Sequence, residues 1–96
     1  ILLGSVATHA IAAGIYPKLP YDPIAGFAPI SQVTRGPLVL AAGPQVKAGT
    51  VADLVAAAKA GPGTLNYAST GNGTAVHAAG ELFKSAAGIS VQHVPY

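Results

Sequence analysis

Residues 65–94, LNYASTGNGTAVHAAGELFKSAAGISVQHV, constrain the fold more than any other part of the chain. Residues 65–68 are strand-like, and a glycine-broken polar turn follows them. Beyond the turn, Val76, Ala79, Gly80, Phe83 and Ala87 recur at helical spacing. Thr74 stands where such a helix starts and Gly88 where it stops, so the spacing predicts a helix over 74–87. His77, Glu81 and Lys84 share its polar side, and residues 89–94 form a closing strand. Strand, crossover helix and strand in that order give a parallel pair, which sets the fold class as α/β.

The rest of the chain repeats the alternation less sharply. Thr50 is the expected N-cap of a second helix, in which Val51, Leu54, Val55 and Ala58 share one face. Gly61, Pro62 and Gly63 end that helix. Residues 1–5, 27–34 and 38–42 read as further strands, the last two separated by Gly36 and Pro37. A short helix is expected over 8–14, with Thr8 as N-cap and Gly14 as stop. Pro17, Pro20 and Pro23 enforce an extended, helix-free connection after it.

Composition narrows the function classes. The 96 residues make one domain at most, and only 8% are charged, against about a quarter in an ordinary globular domain. With an apolar start, no initiator Met and an end in mid-pattern, the chain reads as an internal piece of a larger body. Lys18, Arg35, Lys47, Lys59 and Lys84 are scattered, and there is no Trp, so no nucleic-acid surface is expected. The absence of Cys excludes disulfides and thiolate metal sites. Residues 1–15 are too short and too polar to span a membrane and lack a basic leader.

The strongest site candidate is the turn of Ser69, Thr70, Gly71, Asn72, Gly73 and Thr74. A helix start carries unpaired N–H groups and partial positive charge, and small donors with two glycines around it suit a small anion. The alternative is an ordinary βα turn with Thr74 or Asn72 as cap. Ser5, Thr8 and His9 follow the first expected strand at the equivalent end of the neighbouring unit. They either face the same cleft or serve as a cap and a packed imidazole. His77 is expected to pair with Glu81 one turn on and to steady the turn; no further ligand at useful spacing makes the two a metal site. His93 is read as a packed or hinge residue. The turn is no Walker loop, lacking Lys, and no nucleophile elbow, lacking GxSxG.

GSVATHAI, YPKLPYDPIAGFAPISQV, VADLVAAAKAGPGTLNYAS and TGNGTAVHAAGELFKSAAGISVQHVPY closely resemble, in order and without gaps, the Bug family of extracytoplasmic solute receptors. This is the TctC-like substrate-binding component of tripartite tricarboxylate transport. The resemblance implies a two-lobed periplasmic binding protein of type II, Venus-flytrap architecture, with residues 1–96 forming part of a three-layer lobe one. The preceding strand and lobe two lie outside these residues on this reading. It implies a receptor, not an enzyme, that needs no cofactor and passes a mono-, di- or tricarboxylate to membrane permease subunits. Ser69, Thr70, Gly71, Asn72, Gly73 and Thr74 are then the ligand turn, with Ser5, Thr8, His9 and His77 as further candidate contacts. Gly26, where the family often has Asp, and Val6 and Ala7, where it often has Gly or Ser, depart from the pattern. The other reading is an anion-binding α/β enzyme domain whose catalytic residues lie outside this chain.

Overall fold

The computed structural model describes residues 1–96. A π-helical turn, Ala7–Ile11, runs directly into α1 (Ala12–Ile15); α2 (Val51–Ala60), β1 (Asn66–Ser69), α3 (Ala75–Ala87) and β2 (Gln92–Pro95) follow. β1 and β2 pair in parallel, with Asn66 opposite Gln92, Tyr67 opposite His93, Ala68 opposite Val94 and Ser69 opposite Pro95. Since α3 connects them, β1–α3–β2 is the βαβ unit that the sequence predicts. Alternation along the strands puts Tyr67, Ser69 and His93 on one face, and α3 meets that face through His77, Glu81 and Gly80. A Cβ added at Gly80 would collide with the Tyr67 ring, so this glycine lets the ring lie flat on the helix.

Both long helices are capped by their own sequence. The Thr50 hydroxyl accepts the Asp53 N–H at 3.1 Å, and the Asp53 carboxylate accepts the Thr50 N–H at 3.0 Å, a complete capping box. Thr74 caps α3 by accepting the His77 N–H at 3.3 Å. At the other end Gly88, at φ 61°, donates to the Ser85 carbonyl while Ile89 donates to that of Lys84, a Schellman ending. Val76, Ala79 and Phe83 of α3 look across an apolar cavity of about 650 Å³ toward Leu54 and Ala58 of α2, and residues 38–43 wall another side. The expected stripes therefore face inward, except that Val51 is exposed in the first turn of α2.

Three expectations are corrected. Residues 1–5, 27–34 and 38–42 form no strands: no ladder bonds them, and all but the half-buried Phe27 are exposed. A strand exists only where a partner takes its N–H and C=O groups, and the single sheet here has two members. Ser5, not Thr8, caps the first helical segment; its carbonyl accepts the His9 N–H, and its own N–H is accepted by the Thr8 hydroxyl at 3.0 Å. The segment ends at Ile15, so Gly14 lies within its last turn and does not stop it. Its π-turn has a local cause. The Tyr21 hydroxyl donates to the Thr8 carbonyl at 2.7 Å, and the Ala12 N–H passes that carbonyl to bond Ala7.

The chain encloses little of itself. Its accessible surface is 7361 Å², whereas a folded monomer of this mass exposes about 5,000 Å². Its radius of gyration is 16.4 Å, against roughly 12–13 Å for a compact chain of this length. Only Ala12, Ala58 and Ser69 are buried, and Ile24, Ile30, Val33 and Val39 stand in solvent. Exposed apolar surface and open strand edges drive pairing between chains. The polypeptide of these 96 residues is therefore expected to self-associate. Sedimentation velocity across a hundredfold dilution should show a concentration-dependent average mass; a monomer unaffected by dilution would contradict this account of its surface.

Candidate functional site

The turn between β1 and α3 is held by its own side chains. Ser69, 6% exposed, is the buried polar residue of the chain. Its hydroxyl oxygen accepts the Gly71 N–H at 3.1 Å and lies 2.6 Å from His93 Nε2 and 3.2 Å from the Gly71 carbonyl. The hydroxyl donates to the Gly71 carbonyl, and the direction of its bond with Nε2 follows the His93 tautomer. The Thr74 hydroxyl donates back to the Gly71 carbonyl at 2.8 Å. The Gly73 N–H donates to His77 Nδ1 at 3.2 Å. Gly71 and Gly73 have φ of 119° and 77°, conformations that side-chain-bearing residues rarely adopt. The glycines thus serve the shape of the turn as well as access to its backbone.

Beside the turn, three rings are stacked. His77 and His93 lie 4.2 Å apart between centroids at an interplanar angle of 11°, and His93 lies 4.8 Å from Tyr67 at 25°. The Tyr67 hydroxyl donates to Glu81 at 2.6 Å, and Lys84 pairs with the same carboxylate at 2.8 Å. The i, i+4 pairing of His77 with Glu81 is not formed; His77 turns back to the glycine turn, and Glu81 is taken by Tyr67 and Lys84. Burial and the Glu81 carboxylate push the Tyr67 phenol far above its usual range. Lys84, and then the Tyr67 hydroxyl, hold the Glu81 carboxyl below the usual carboxylate range. Burial first, and the neighbouring His77 second, lower the His93 imidazole, so its neutral form prevails. The Ser69 hydroxyl is enclosed, and its bonds to His93 and Gly71 tie the turn to β2.

Of the sequence-derived site residues, the structure joins Ser69, Gly71, Gly73, Thr74 and His77 in one hydrogen-bonded cluster. Thr70 and Asn72 are exposed on its rim. Ser5, Thr8 and His9 make a second cluster. The Thr8 hydroxyl lies 2.8 Å from His9 Nδ1, and the His9 ring packs edge-on to Phe27 at 4.6 Å, with Tyr21 beyond. No hydrogen bond links the two clusters; the first helical segment reaches the turn through Ile15, which sits beside Gly73. Sequence reasoning missed Tyr67 and gave His93 no contact with the turn. Both join the cluster through the pairing of β1 with β2, a register that no local motif encodes.

A family of proteins shares this sequence from end to end. The family described as "Tripartite tricarboxylate transporter family receptor", TctC, matches residues 1–96. The chain belongs to this family. It is 38% identical over all 96 residues to a UPF0065 protein of Bordetella pertussis and 32% identical to protein BugT of the same species. It is also 35% identical, over 84% of its length, to a UPF0065 protein from the tcbD-tcbE intergenic region of a Pseudomonas species. The chain spans 29% of each of the two Bordetella relatives and 24% of the third. No solved structure matches it.

The electrostatics of His93 give a signed expectation. Its imidazole is lowered from 6.5 in the folded chain, so below that value the unfolded chain takes up the proton first. The contribution to stability is fully present above pH 6.5 and is lost as pH falls through the folded value. Proton NMR should give a His93 midpoint below that of an exposed histidine, with denaturant midpoints falling between pH 7 and pH 5. A His93 that titrates at or above 6.5 would contradict the burial assigned to it.

Proposed function

We propose that this chain is part of lobe one of a periplasmic, two-lobed solute receptor, and that its β1–α3 turn captures one carboxylate of a small organic acid for a tripartite transporter. In this reading the lobe is a three-layer α/β body whose remaining strands come from chain beyond these residues, and a membrane permease takes the ligand. Family membership supports the receptor class. The observation that carries the site is the position of the turn at the carboxyl end of a parallel strand and the start of α3. Ligands of open α/β sheets sit on that edge.

The chemistry of the turn suits a carboxylate held by neutral donors. The first-turn N–H groups of α3 have no carbonyl within the helix to bond. Thr70 and Asn72 add an exposed hydroxyl and an exposed amide. The cation of α3, Lys84, is committed to Glu81, so charge compensation falls to the helix start, with about 0.3–1 kcal/mol for an exposed anion and up to ~2 when partly buried. The hydroxyls of Ser69 and Thr74 are already engaged inside the turn and shape it more than they reach outward. Ser5, Thr8 and His9 belong to the wall of the same lobe in this reading.

Calorimetric titration of the full-length receptor against acetate, succinate and citrate tests the proposal. At least one acid should bind. Replacing the two rim donors together, Thr70→Val with Asn72→Ala, removes about 0.5–1.5 kcal/mol per hydrogen bond, a loss of about five- to 150-fold, with unchanged thermal stability. Wild-type affinity in the double variant would put the ligand elsewhere.

A further inference from the structure

We infer that His77 and His93 are positioning residues of the ligand turn: two stacked imidazoles that preset Gly73 and Gly71 without contacting the ligand. The inference rests on the reading of this turn as the site of acid capture. Each ring governs one glycine. His77 Nδ1 accepts the Gly73 N–H directly at 3.2 Å. His93 Nε2 holds the Ser69 hydroxyl at 2.6 Å, and that oxygen accepts the Gly71 N–H at 3.1 Å. Both glycines are in positive-φ conformations, which a free turn would leave for others, so fixing their N–H groups fixes the loop.

The placement of His77 resembles a capping box. Thr74 caps α3 by accepting the N–H of His77, and the His77 side chain reaches back to the backbone N–H just before Thr74. In place of the usual carboxylate stands a titratable ring, and that gives the turn a pH dependence. An imidazole protonated on Nδ1 has no lone pair there for the Gly73 N–H. Two cationic rings 4.2 Å apart would also repel. The groups facing this pair are Tyr67 and Ser69 from β1, and Glu81 and Lys84 from α3. Glu81 favours a charged His93 and Lys84 opposes it, and the two are bound to each other. The ring positions therefore depend on the neutral state, and acid should loosen the turn.

Amide exchange in the ligand-free full-length receptor, read by NMR and corrected for intrinsic rates, tests the clamp itself. His77→Phe keeps a flat ring against His93 but removes the acceptor, and should speed exchange at Gly73 at least tenfold. His77→Asn, whose carbonyl oxygen reaches about where Nδ1 stands, should restore much of the protection. His93→Gln, which retains a polar partner for Ser69 but cannot titrate, should keep Gly71 protected from pH 7 to pH 5, while wild-type protection falls. Unchanged Gly73 exchange in His77→Phe, or His77→Asn behaving like His77→Phe, would overturn the inference. Calorimetry of the same variants with succinate and citrate separates the two readings. A parallel tenfold loss with His77→Phe, recovered in His77→Asn, supports both. Altered exchange with unaltered affinity leaves the clamp but removes the turn as the site of capture, and overturns the positioning role.

Discussion

The register of β1 against β2 is the constraint on which the rest of this structure depends. Pairing Tyr67 with His93 and Ser69 with Pro95 places Ser69 and His93 on the same face, one diagonal apart, where the hydroxyl reaches Nε2. A slip of one residue would turn His93 to the opposite face and leave Ser69 buried without its partner. The same register sets His93 between Tyr67 and His77, so that strand pairing, helix docking and the shape of the turn are settled by one geometry. The turn between β1 and α3 is thus an extension of the sheet and not a loop laid over it.

Elsewhere the chain has little burial to draw on. Three buried residues, an open cavity and a long exposed stretch cannot supply the apolar stabilisation of an ordinary domain. Local devices do more here: the Thr50–Asp53 capping box, the Thr74 cap, the Schellman ending at Gly88, and a polar stack whose members all find partners. In a partly enclosed setting such a network strengthens its own hydrogen bonds and makes any unpaired member costly. Tyr67 illustrates this: its hydroxyl ends on Glu81, and its ring has room only because position 80 is glycine.

What the sequence made legible follows the range of the interactions. Both long helices, their caps and the two paired strands were readable because capping and periodicity are local. The turn at Ser69 to Thr74 was readable for the same reason: its glycines and hydroxyls are neighbours in the chain. Residues 27–34 and 38–42 have strand composition, but pairing is a property of two segments, and neither has a partner here. Thr8 looked like a cap, yet Ser5 precedes it by three residues and takes that place, with Thr8 reciprocating. His77 and Glu81 stand at helical spacing, and the strand brought in beside them redirected both, Glu81 to Tyr67 and His77 to the turn and His93. Recognition of the family came from the wording of the whole chain and agrees with the match over all its residues.

The central claim is that a bond across the sheet, from Ser69 to His93, locks the turn in place. A double-mutant cycle of Ser69→Ala and His93→Phe, followed by chemical unfolding of the full-length receptor at neutral pH, measures that bond directly. The account predicts strongly non-additive losses, with a coupling of about 1–3 kcal/mol, because either substitution alone already breaks the lock. Additive losses, within about 0.3–0.5 kcal/mol, would mean that the two side chains act independently and would contradict it.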